Sequence, residues 1–208
     1  MAFELNQQEG EFLVKLARGA AEEYVKTRKT INVPEDTPKK LLQLCGVFVT
    51  INSMKNGHES LRGCIGLPYP TTPLAQAVIE AAISSATQDP RFQPLSSSDL
   101  DKVVFELSVL TPPERVEVNK PTEYPSKIKV GEDGLIVEKG MFKGLLLPQV
   151  PVEWGWDEEE FLCECSVKAG LPADCWLLAG TKIQKFHAII FEEEKPKGEI
   201  RRKTIGGK

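Results

Sequence analysis

The segment SLRGCIG, residues 60–66, holds a cysteine and, two residues before it, an arginine. It is predicted to be a β-strand, in which side chains alternate between the two faces, so Arg62 and Cys64 project from the same face. Two such residues lie about 6.5–7 Å apart at Cα, which is close enough for a guanidinium to favour the thiolate, the nucleophilic form of cysteine. The spacing therefore indicates a nucleophile. The alternative is a cysteine that packs as a small apolar side chain.

Two glycines, Gly63 and Gly66, lie on either side of this cysteine. A strand glycine allows close approach of a ligand or of another backbone, and it does the same for a helix that packs on the sheet. A cysteine nucleophile normally needs a base, and the chain has two histidines, His58 and His187. Neither forms a recognisable dyad with Cys64 by its spacing, so the sequence names no base.

The face on which Cys64 lies depends on how its strand pairs with the strand before it. The Asn-Gly dipeptide at 56–57 is a strong hairpin signal between the two strands. A two-residue loop there would pair Val49 with Cys64 and Ile51 with Arg62. The cysteine would then share a face with valines.

A connection that is longer by one residue, such as one with a glycine bulge, gives the other register. It would pair Thr50 with Cys64 and Asn52 with Arg62, because a slip of one residue moves every side chain to the opposite face. We favour this second register, since it separates polar from apolar side chains cleanly.

A second charged group lies in the tetrapeptide DPRF, just beyond a predicted helix. Asp89 and Arg91 are candidates for ligand binding. In the structural alternative, Arg91 satisfies the last carbonyls of that helix and Phe92 fills the core. On the predicted strand 102–110, Glu106 lies between apolar positions, which is typical of a cleft or of a buried ion pair.

The order of the elements predicts the fold class. Helices are predicted at 6–27, at 72–88 and between Asp157 and Gly170 from their apolar spacing and capping residues. Strands are predicted at 46–52, 60–66, 102–110 and 181–192, with a three-stranded meander from about residue 127. Helices and strands do not alternate as regular βαβ units, so we expect an α+β fold with a mostly antiparallel sheet. Residues 193–208 are charged and aperiodic and are predicted to be a flexible charged tail.

Composition argues against several classes of protein. The net charge of −4 and the pI near 5.4 make a nucleic-acid-binding protein unlikely on charge grounds, and no window approaches the ~18 apolar residues of a membrane span. The five cysteines have irregular spacing, which predicts neither a disulfide framework nor a zinc site and favours a reducing, cytoplasmic setting. Dinucleotide, P-loop and His-Glu-x-x-His motifs are absent from the sequence, so the cofactor, if any, is unknown.

Four short motifs occur in a characteristic order. With them, the chain strongly resembles the AMME chromosomal region (AMMECR) family over about residues 5–192. The motifs are LRGCIG at 61–66, DPRF at 89–92, FELSVLTPP at 105–113 and GLLLPQV at 144–150. Each motif alone is short, but the four in this order, with an initial helix and a closing strand, are highly specific.

The resemblance implies a single domain over residues 1–192, in which a larger and a smaller lobe frame a cleft beside the LRGCIG strand. It implies candidate site residues in two groups. The catalytic candidates are Cys64, Arg62 and Glu106, and the binding candidates are Gly63, Gly66, Asp89 and Arg91. It does not imply a particular reaction.

Three functions are compatible with these observations. The first is an enzyme whose cleft binds a small anionic or carbonyl-containing metabolite, held by Arg62 and backbone amides, with Cys64 as nucleophile or redox thiol. The second is a non-catalytic adaptor for a protein partner, which the resemblance implies would be Memo-like or associated with radical-SAM proteins. The third and least favoured is nucleic-acid binding.

Overall fold

The computed structural model describes residues 3–55 and 57–204. Its helices are α1 (Gln7–Thr27), α2 (Leu74–Thr87), α3 (Gln149–Trp154) and α4 (Glu158–Lys168). Its strands are β1 (Gly46–Lys55), β2 (His58–Leu67), β3 (Val103–Leu110), β4 (Glu114–Arg115), β5 (Asp133–Lys139), β6 (Phe142–Leu146), β7 (Lys182–Glu193) and β8 (Ile200–Lys203). The paired strands are antiparallel. The predicted α+β class is therefore confirmed.

The chain divides into two compact units. Unit 1 holds the described residues up to Leu110 together with Ile189–Lys203, and unit 2 holds Thr111–Ala188. The strand order in unit 1 is β2-β1-β3-β7, with β8 paired to the second half of β7. In unit 2, the first half of β7 pairs with β5, and β5 pairs with β6. The cleft between lobes that the family resemblance implies stays a prediction.

Local capping explains where two of the helices begin. Asn6 accepts a hydrogen bond from the Glu9 amide (2.9 Å), and its own amide donates to the Glu9 carboxylate (2.8 Å). Asp157 and Glu160 form the same reciprocal pair at the start of α4, at 2.8 and 3.1 Å. Each pair satisfies two amides that the first turn of a helix leaves without partners. Both predicted starts are confirmed.

The core of unit 1 lies between its sheet and the two long helices. Val47, Val49 and Ile51 on one face of β1 are 0% exposed, and they belong to the same apolar cluster as the alanines of α2. Unit 2 has its own core, in which α4 packs against β5 and β6 around Phe161. The opposite face of β1 in unit 1, which carries Thr50, is not part of this apolar core.

The β1–β2 hairpin combines features of both predicted registers. Lys55 pairs with His58, as a two-residue connection requires, although Asn56 lies outside the described residues. A β-bulge then shifts the register, so that Thr50 pairs with Cys64 as favoured. The accompanying prediction for Asn52 is wrong, because it pairs with Leu61. The extra residue lies in the strand and not in the turn, which is a common device for redirecting a side chain.

That extra residue is Arg62. It comes between Leu61, which pairs with Asn52, and Gly63, which pairs with Ile51. The simple alternation that placed Arg62 beside Cys64 therefore does not apply at this point of the strand.

The prediction of a flexible tail from residue 193 is wrong for residues 193–203. Ile200–Lys203 form β8, and Ile200 pairs with Glu193 at the end of β7. The basic side chains of β8 meet acidic partners, because Arg201 binds Glu192 at 3.0 Å. Charge was interpreted as a sign of solvation, whereas here opposite charges lie on adjacent strands and stabilise their pairing. Residues 205–208 lie outside the described part.

Candidate functional site

Cys64 lies on the face of the β1–β2 hairpin that points away from the helices, and its side chain is partly exposed. Its cross-strand neighbour Thr50 donates a hydrogen bond from Oγ1 to the Cys64 sulfur at 3.3 Å. Cys64 therefore has the accessibility and the hydrogen-bond donor that a reactive thiol requires.

The other cysteines differ from Cys64 in their surroundings. Cys45, Cys165 and Cys175 are buried, at 1%, 0% and 1% exposure. Burial raises the pKa of the Cys45 thiol to about 11 and that of the Cys165 thiol to about 12. Cys163 is partly exposed and accepts a hydrogen bond from the indole of Trp176 at 3.3 Å. Burial thus holds the thiols of Cys45 and Cys165 in the unreactive, neutral form.

Asp89 connects the end of α2 to the LRGCIG strand. Its carboxylate is only 2% exposed, and Oδ2 accepts a hydrogen bond from the Cys64 amide at 2.8 Å. The same carboxylate accepts from the Arg91 side chain at 2.7 and 3.0 Å and from the Arg91 amide at 3.1 Å. The Arg91 hydrogen bonds, followed by that of the Cys64 amide, hold the pKa of Asp89 well below its usual range. Asp89 is therefore a fixed negative charge behind Cys64.

Arg91 supplies the positive charge at this site. Its Nη2 donates to the Cys64 carbonyl at 3.2 Å, and its side chain remains 54% exposed. Hydrogen bonds to Asp89 raise the pKa of Arg91, and Cys64 adds a smaller effect in the same direction. The donors of Arg91 reach Asp89 and β2, so the alternative in which this arginine caps the carbonyls of α2 is not what the structure shows.

Arg62 is directed elsewhere. Its Nη2 donates to the Pro94 carbonyl at 3.4 Å, in the loop that follows α2. The bulge removes Arg62 from the alternating pattern that predicted its pairing with Cys64, and the guanidinium that hydrogen-bonds to the Cys64 backbone belongs to Arg91.

The two glycines make room for other parts of unit 1. A Cβ on Gly63 would lie 2.1 Å from the Ser85 carbonyl oxygen of α2, and one on Gly66 would lie 2.3 Å from the Phe48 ring. Ser85 completes the contact, because its hydroxyl accepts from the Ile65 amide at 2.8 Å and donates to the Val49 carbonyl at 2.7 Å. Gly63 therefore serves the close packing of α2 on β2, which was the structural alternative considered for it.

Glu106 lies in the same cross-strand row as Cys64. Thr50 pairs with Cys64 on one side and with Glu106 on the other. Burial raises the pKa of the Glu106 carboxyl, and a hydrogen bond from the Lys203 ammonium at 2.6 Å opposes this increase. A carboxyl with a raised pKa in the same cross-strand row as a candidate nucleophile, on the other side of Thr50, is a candidate for proton transfer.

Lys203 is a residue that the sequence interpretation missed, because it was assigned to the tail. Its ammonium also binds Glu192 at 2.7 Å. Burial acts to lower the pKa of Lys203, but the hydrogen bonds to Glu106 and Glu192 outweigh it and the pKa is raised. The sequence does carry a signal for this contact, which is the complementary charge of the segments that form β7 and β8.

Neither histidine belongs to this cross-strand row. His58 is exposed at the start of β2, and His187 belongs to unit 2, where its Nε2 lies 3.1 Å from Asp133 Oδ1. Residues 3–55 and 57–204 contain no group of three or more His, Cys, Asp and Glu side chains arranged to hold a metal ion. The same part of the chain has no helix with the length and apolar content to cross a membrane.

Comparisons with known proteins agree with the motifs. The AMMECR1 family model matches residues 14–191. The chain is 59% identical to Protein PH0010 of Pyrococcus horikoshii, over 99% of this chain and 100% of that protein. It is 54% identical to a protein of Methanothermobacter thermautotrophicus, over 91% and 97% of the two chains.

A solved structure agrees as well. The crystal structure of uncharacterized protein PH0010 from Pyrococcus horikoshii has a TM-score of 0.86 to this chain, covering 97% of this chain and 99% of the other. The order of the four motifs, the α+β fold and these matches lead to the same conclusion. The chain belongs to the AMMECR1 family.

Proposed function

We propose that the Cys64 face of unit 1 is a thiol-dependent catalytic site that acts on a small metabolite with a carbonyl group and an anionic group. The observation that carries this proposal is the hydrogen bond from Thr50 to the sulfur of a partly exposed cysteine. Arg91 supports it, because its exposed guanidinium is held beside Cys64 by a buried carboxylate.

Each residue has a defined role in this proposal. Cys64 is the nucleophile, and Thr50 stabilises its thiolate. Arg91 binds the anionic group of the substrate, since a guanidinium presents donors that match a carboxylate or phosphate. This replaces the role first assigned to Arg62. Glu106 exchanges protons with the substrate.

The chemical step is addition of the thiolate to the carbonyl carbon. A sulfur–carbon bond forms while the π pair of the carbonyl moves onto its oxygen, which takes up the proton that the Cys64 thiol gives up, relayed by Glu106 or by water. The product is a hemithioacetal, and nothing is oxidised or reduced. The reverse step releases the substrate.

The test is the rate at which each cysteine of the folded protein reacts with iodoacetamide, followed by mass spectrometry. We expect Cys64 to react first, Cys163 more slowly, and the three buried cysteines only after unfolding. Cys163 is the matched control, because it is also partly exposed but has an indole and not Arg91 beside it. An equal rate at Cys64 and Cys163 would contradict an activated thiol.

Two variants refine this test. We expect Arg91→Gln to slow alkylation of Cys64 about threefold to tenfold, since a positive charge next to a thiol favours the thiolate. Cys64→Ser should abolish adduct formation with small keto acids while changing the thermal unfolding midpoint by only a few degrees. A large loss of stability in Cys64→Ser, with no alkylation of the wild type, would show that Cys64 is a packing residue.

A non-catalytic adaptor for a protein partner is the second candidate function, and an exposed apolar groove in unit 2 favours it. Family resemblance makes a Memo-like or radical-SAM-associated protein the first partner to try. Recovery of such a partner with both the wild type and Cys64→Ser would favour the adaptor over the enzyme. Failure to recover it at micromolar protein would count against it. Nucleic-acid binding is the least favoured alternative, and it requires association that weakens steeply with salt.

A cytoplasmic location is part of this proposal. All five cysteines are free thiols, and a reducing compartment keeps thiols in that form. Mass spectrometry of the protein from freshly broken cells would detect any disulfide.

A further inference from the structure

An apolar groove lies on the surface of unit 2, between α3, α4 and the end of β6. Its volume is about 560 Å³, and its apolar wall is formed by Leu146, Val150, Trp154, Trp156 and Val167. Trp154 is 71% exposed and Val167 is 51% exposed. Large apolar side chains in this number, gathered in one depression, are typical of an interaction site.

The two tryptophans of this Trp154 groove are held in place by the backbone. Gly155 between them has a left-handed conformation (φ 70°), which glycine adopts without strain. The turn brings the indole rings to a centroid distance of 6.0 Å with 17° between their planes. The Trp156 ring therefore supports the Trp154 ring, whose outer surface faces solvent. The groove thus exists before any partner binds.

The surroundings of the Trp154 groove are strongly acidic. Six side chains between Gln149 and Lys168 are acidic and Lys168 alone is basic. Helix capping accounts for part of this charge, since acids in the first turn of α4 stabilise that helix. It does not account for Glu153, in the last turn of α3, or for Glu164, in the interior of α4.

These two carboxylates and Glu159 are also without counterions. In the described part of the chain, none of the three forms an ion pair. Glu164 lines the Trp154 groove together with Lys168, and Glu153 adds a negative charge next to Trp154. An apolar floor with uncompensated carboxylates around it complements a partner that is apolar on one side and basic beside it. A guanidinium or ammonium group would also be attracted to the open face of Trp154.

We propose that the Trp154 groove binds a basic amphipathic helix of a partner protein. The apolar stripe of that helix lies on Trp154, Val150 and Val167, and its Lys and Arg side chains meet Glu153 and Glu164. Helix α4 has 11 residues and is thus about 16 Å long, which matches about three turns of a bound helix. The proposal rests on the adaptor function suggested above and is independent of Cys64.

The experiment uses a synthetic helical peptide of about 15 residues as probe. Its leucines are spaced to form one apolar stripe, and its remaining positions are mainly lysine and arginine. A second peptide has the same stripe with glutamate at the charged positions. Binding to the full chain is followed by tryptophan fluorescence, because the third tryptophan, Trp176, is buried and contributes a constant signal.

We expect the basic peptide to bind with one-to-one stoichiometry and to shift the emission. The acidic peptide should bind at least about tenfold more weakly. Trp154→Ala should weaken the basic peptide about tenfold or more, as expected for a central aromatic anchor. Glu164→Gln should weaken it a few fold, and added salt should reduce the effect of that substitution.

The matched control is Leu44→Ala, which removes an apolar side chain of 51% exposure from unit 1. It should leave peptide binding unchanged, and fluorescence anisotropy of a labelled peptide should follow binding in Trp154→Ala. Equal binding of both peptides, absence of binding, or binding that survives Trp154→Ala would overturn the proposal. So would a dimer in light scattering that Trp154→Ala dissociates, since the occupant would then be a second copy of the chain. None of these outcomes depends on whether Cys64 is catalytic.

Discussion

At the residue scale, Asp89 determines how the charges around Cys64 are arranged. It is buried, it accepts from the Cys64 amide, and it holds Arg91 by two side-chain hydrogen bonds. Arg91 alone is an exposed side chain on a loop, and without Asp89 its guanidinium would have many conformations. The reactivity of Cys64 is therefore expected to depend on the Asp89 carboxylate that positions Arg91.

Asp89→Asn should destabilise the protein by about 2–4 kcal/mol at pH 7, because a buried charge-assisted network loses its charge. The loss should depend on pH with a definite sign. The pKa of Asp89 is depressed in the folded state, so its contribution is complete above the unfolded pKa of about 4 and decreases as the pH falls below it.

Urea unfolding of wild type and Asp89→Asn between pH 7 and pH 3 measures this difference, which should shrink toward the acid end. Asp174→Asn serves as control, since Asp174 is exposed and should show little change at any pH. A difference that stays constant down to pH 3 would mean that the charge of Asp89 is not what stabilises the fold.

At the element scale, the contact between α2 and β2 depends on the absence of a side chain at Gly63. Gly63→Ala would place a Cβ 2.1 Å from a backbone carbonyl oxygen of α2. Because the clash is with the backbone, no side chain can relieve it by moving away. We expect a loss of about 1–3 kcal/mol in the free energy of unfolding, and a change in Cys64 alkylation because Cys64 is the next residue. The measurement is urea unfolding combined with the alkylation rate.

Gly19→Ala is the matched control within the same unit. Gly19 lies inside α1, is exposed, and has no atom within 4 Å of an added Cβ. It should stabilise the protein by about 0.5–1 kcal/mol, because alanine favours the helical state. The two glycine substitutions therefore have predicted effects of opposite sign, and effects of equal sign would show that the α2–β2 contact is looser than described.

A second prediction at this scale concerns strand β8. Lys203→Met should leave the carboxylates of Glu106 and Glu192 without their shared ammonium, at a cost of about 1–3 kcal/mol at pH 7. The cost should decrease near pH 4, because protonation of Glu106, whose pKa is already raised by burial, removes the repulsion. Unfolding measured at both pH values tests this.

Lys203→Arg keeps the charge and should recover most of the loss in Lys203→Met. A loss in Lys203→Met that is the same at pH 4 and pH 7 would indicate that Lys203 stabilises β8 by packing and not by charge.

At the scale of the whole molecule, unit 1 is built from two distant parts of the chain, and a buried ion pair joins them. Arg18 of α1 and Glu193 of β7 are 8% and 4% exposed and form two hydrogen bonds with each other. Arg18 also donates to the carbonyls of Leu100 and Val103, and Glu193 accepts from the Phe105 amide at 3.0 Å. The pair thus connects α1, β3 and β7.

Arg18→Met should destabilise the protein by about 3–5 kcal/mol, because it leaves a buried carboxylate without its counterion. The double variant Arg18→Met/Glu193→Gln should be more stable than Arg18→Met alone, since the amide side chain carries no charge. A double-mutant cycle in urea measures the coupling. Additive effects of the two substitutions would contradict a coupled buried pair.

Some features of this protein follow from the sequence alone because they depend on residues close together in the chain. The capping boxes at Asn6 and Asp157 join residues three apart, and the hairpin signal and apolar alternation around Thr50 are local as well. The family motifs and the α+β class were readable for the same reason. Each relies on a short pattern in which spacing determines geometry.

The composition of the candidate site was decided only by the tertiary structure. Alternation along one strand predicted Arg62 beside Cys64, but a single bulge residue changed that outcome, and the guanidinium comes instead from Arg91, 27 residues further along the chain. Lys203 reaches Glu106 from 97 residues away, in a segment whose charge pattern predicts a solvated tail. Such contacts depend on how strands pair and helices pack, and the free energy of that packing is shared across the whole unit and is not encoded in any one short segment.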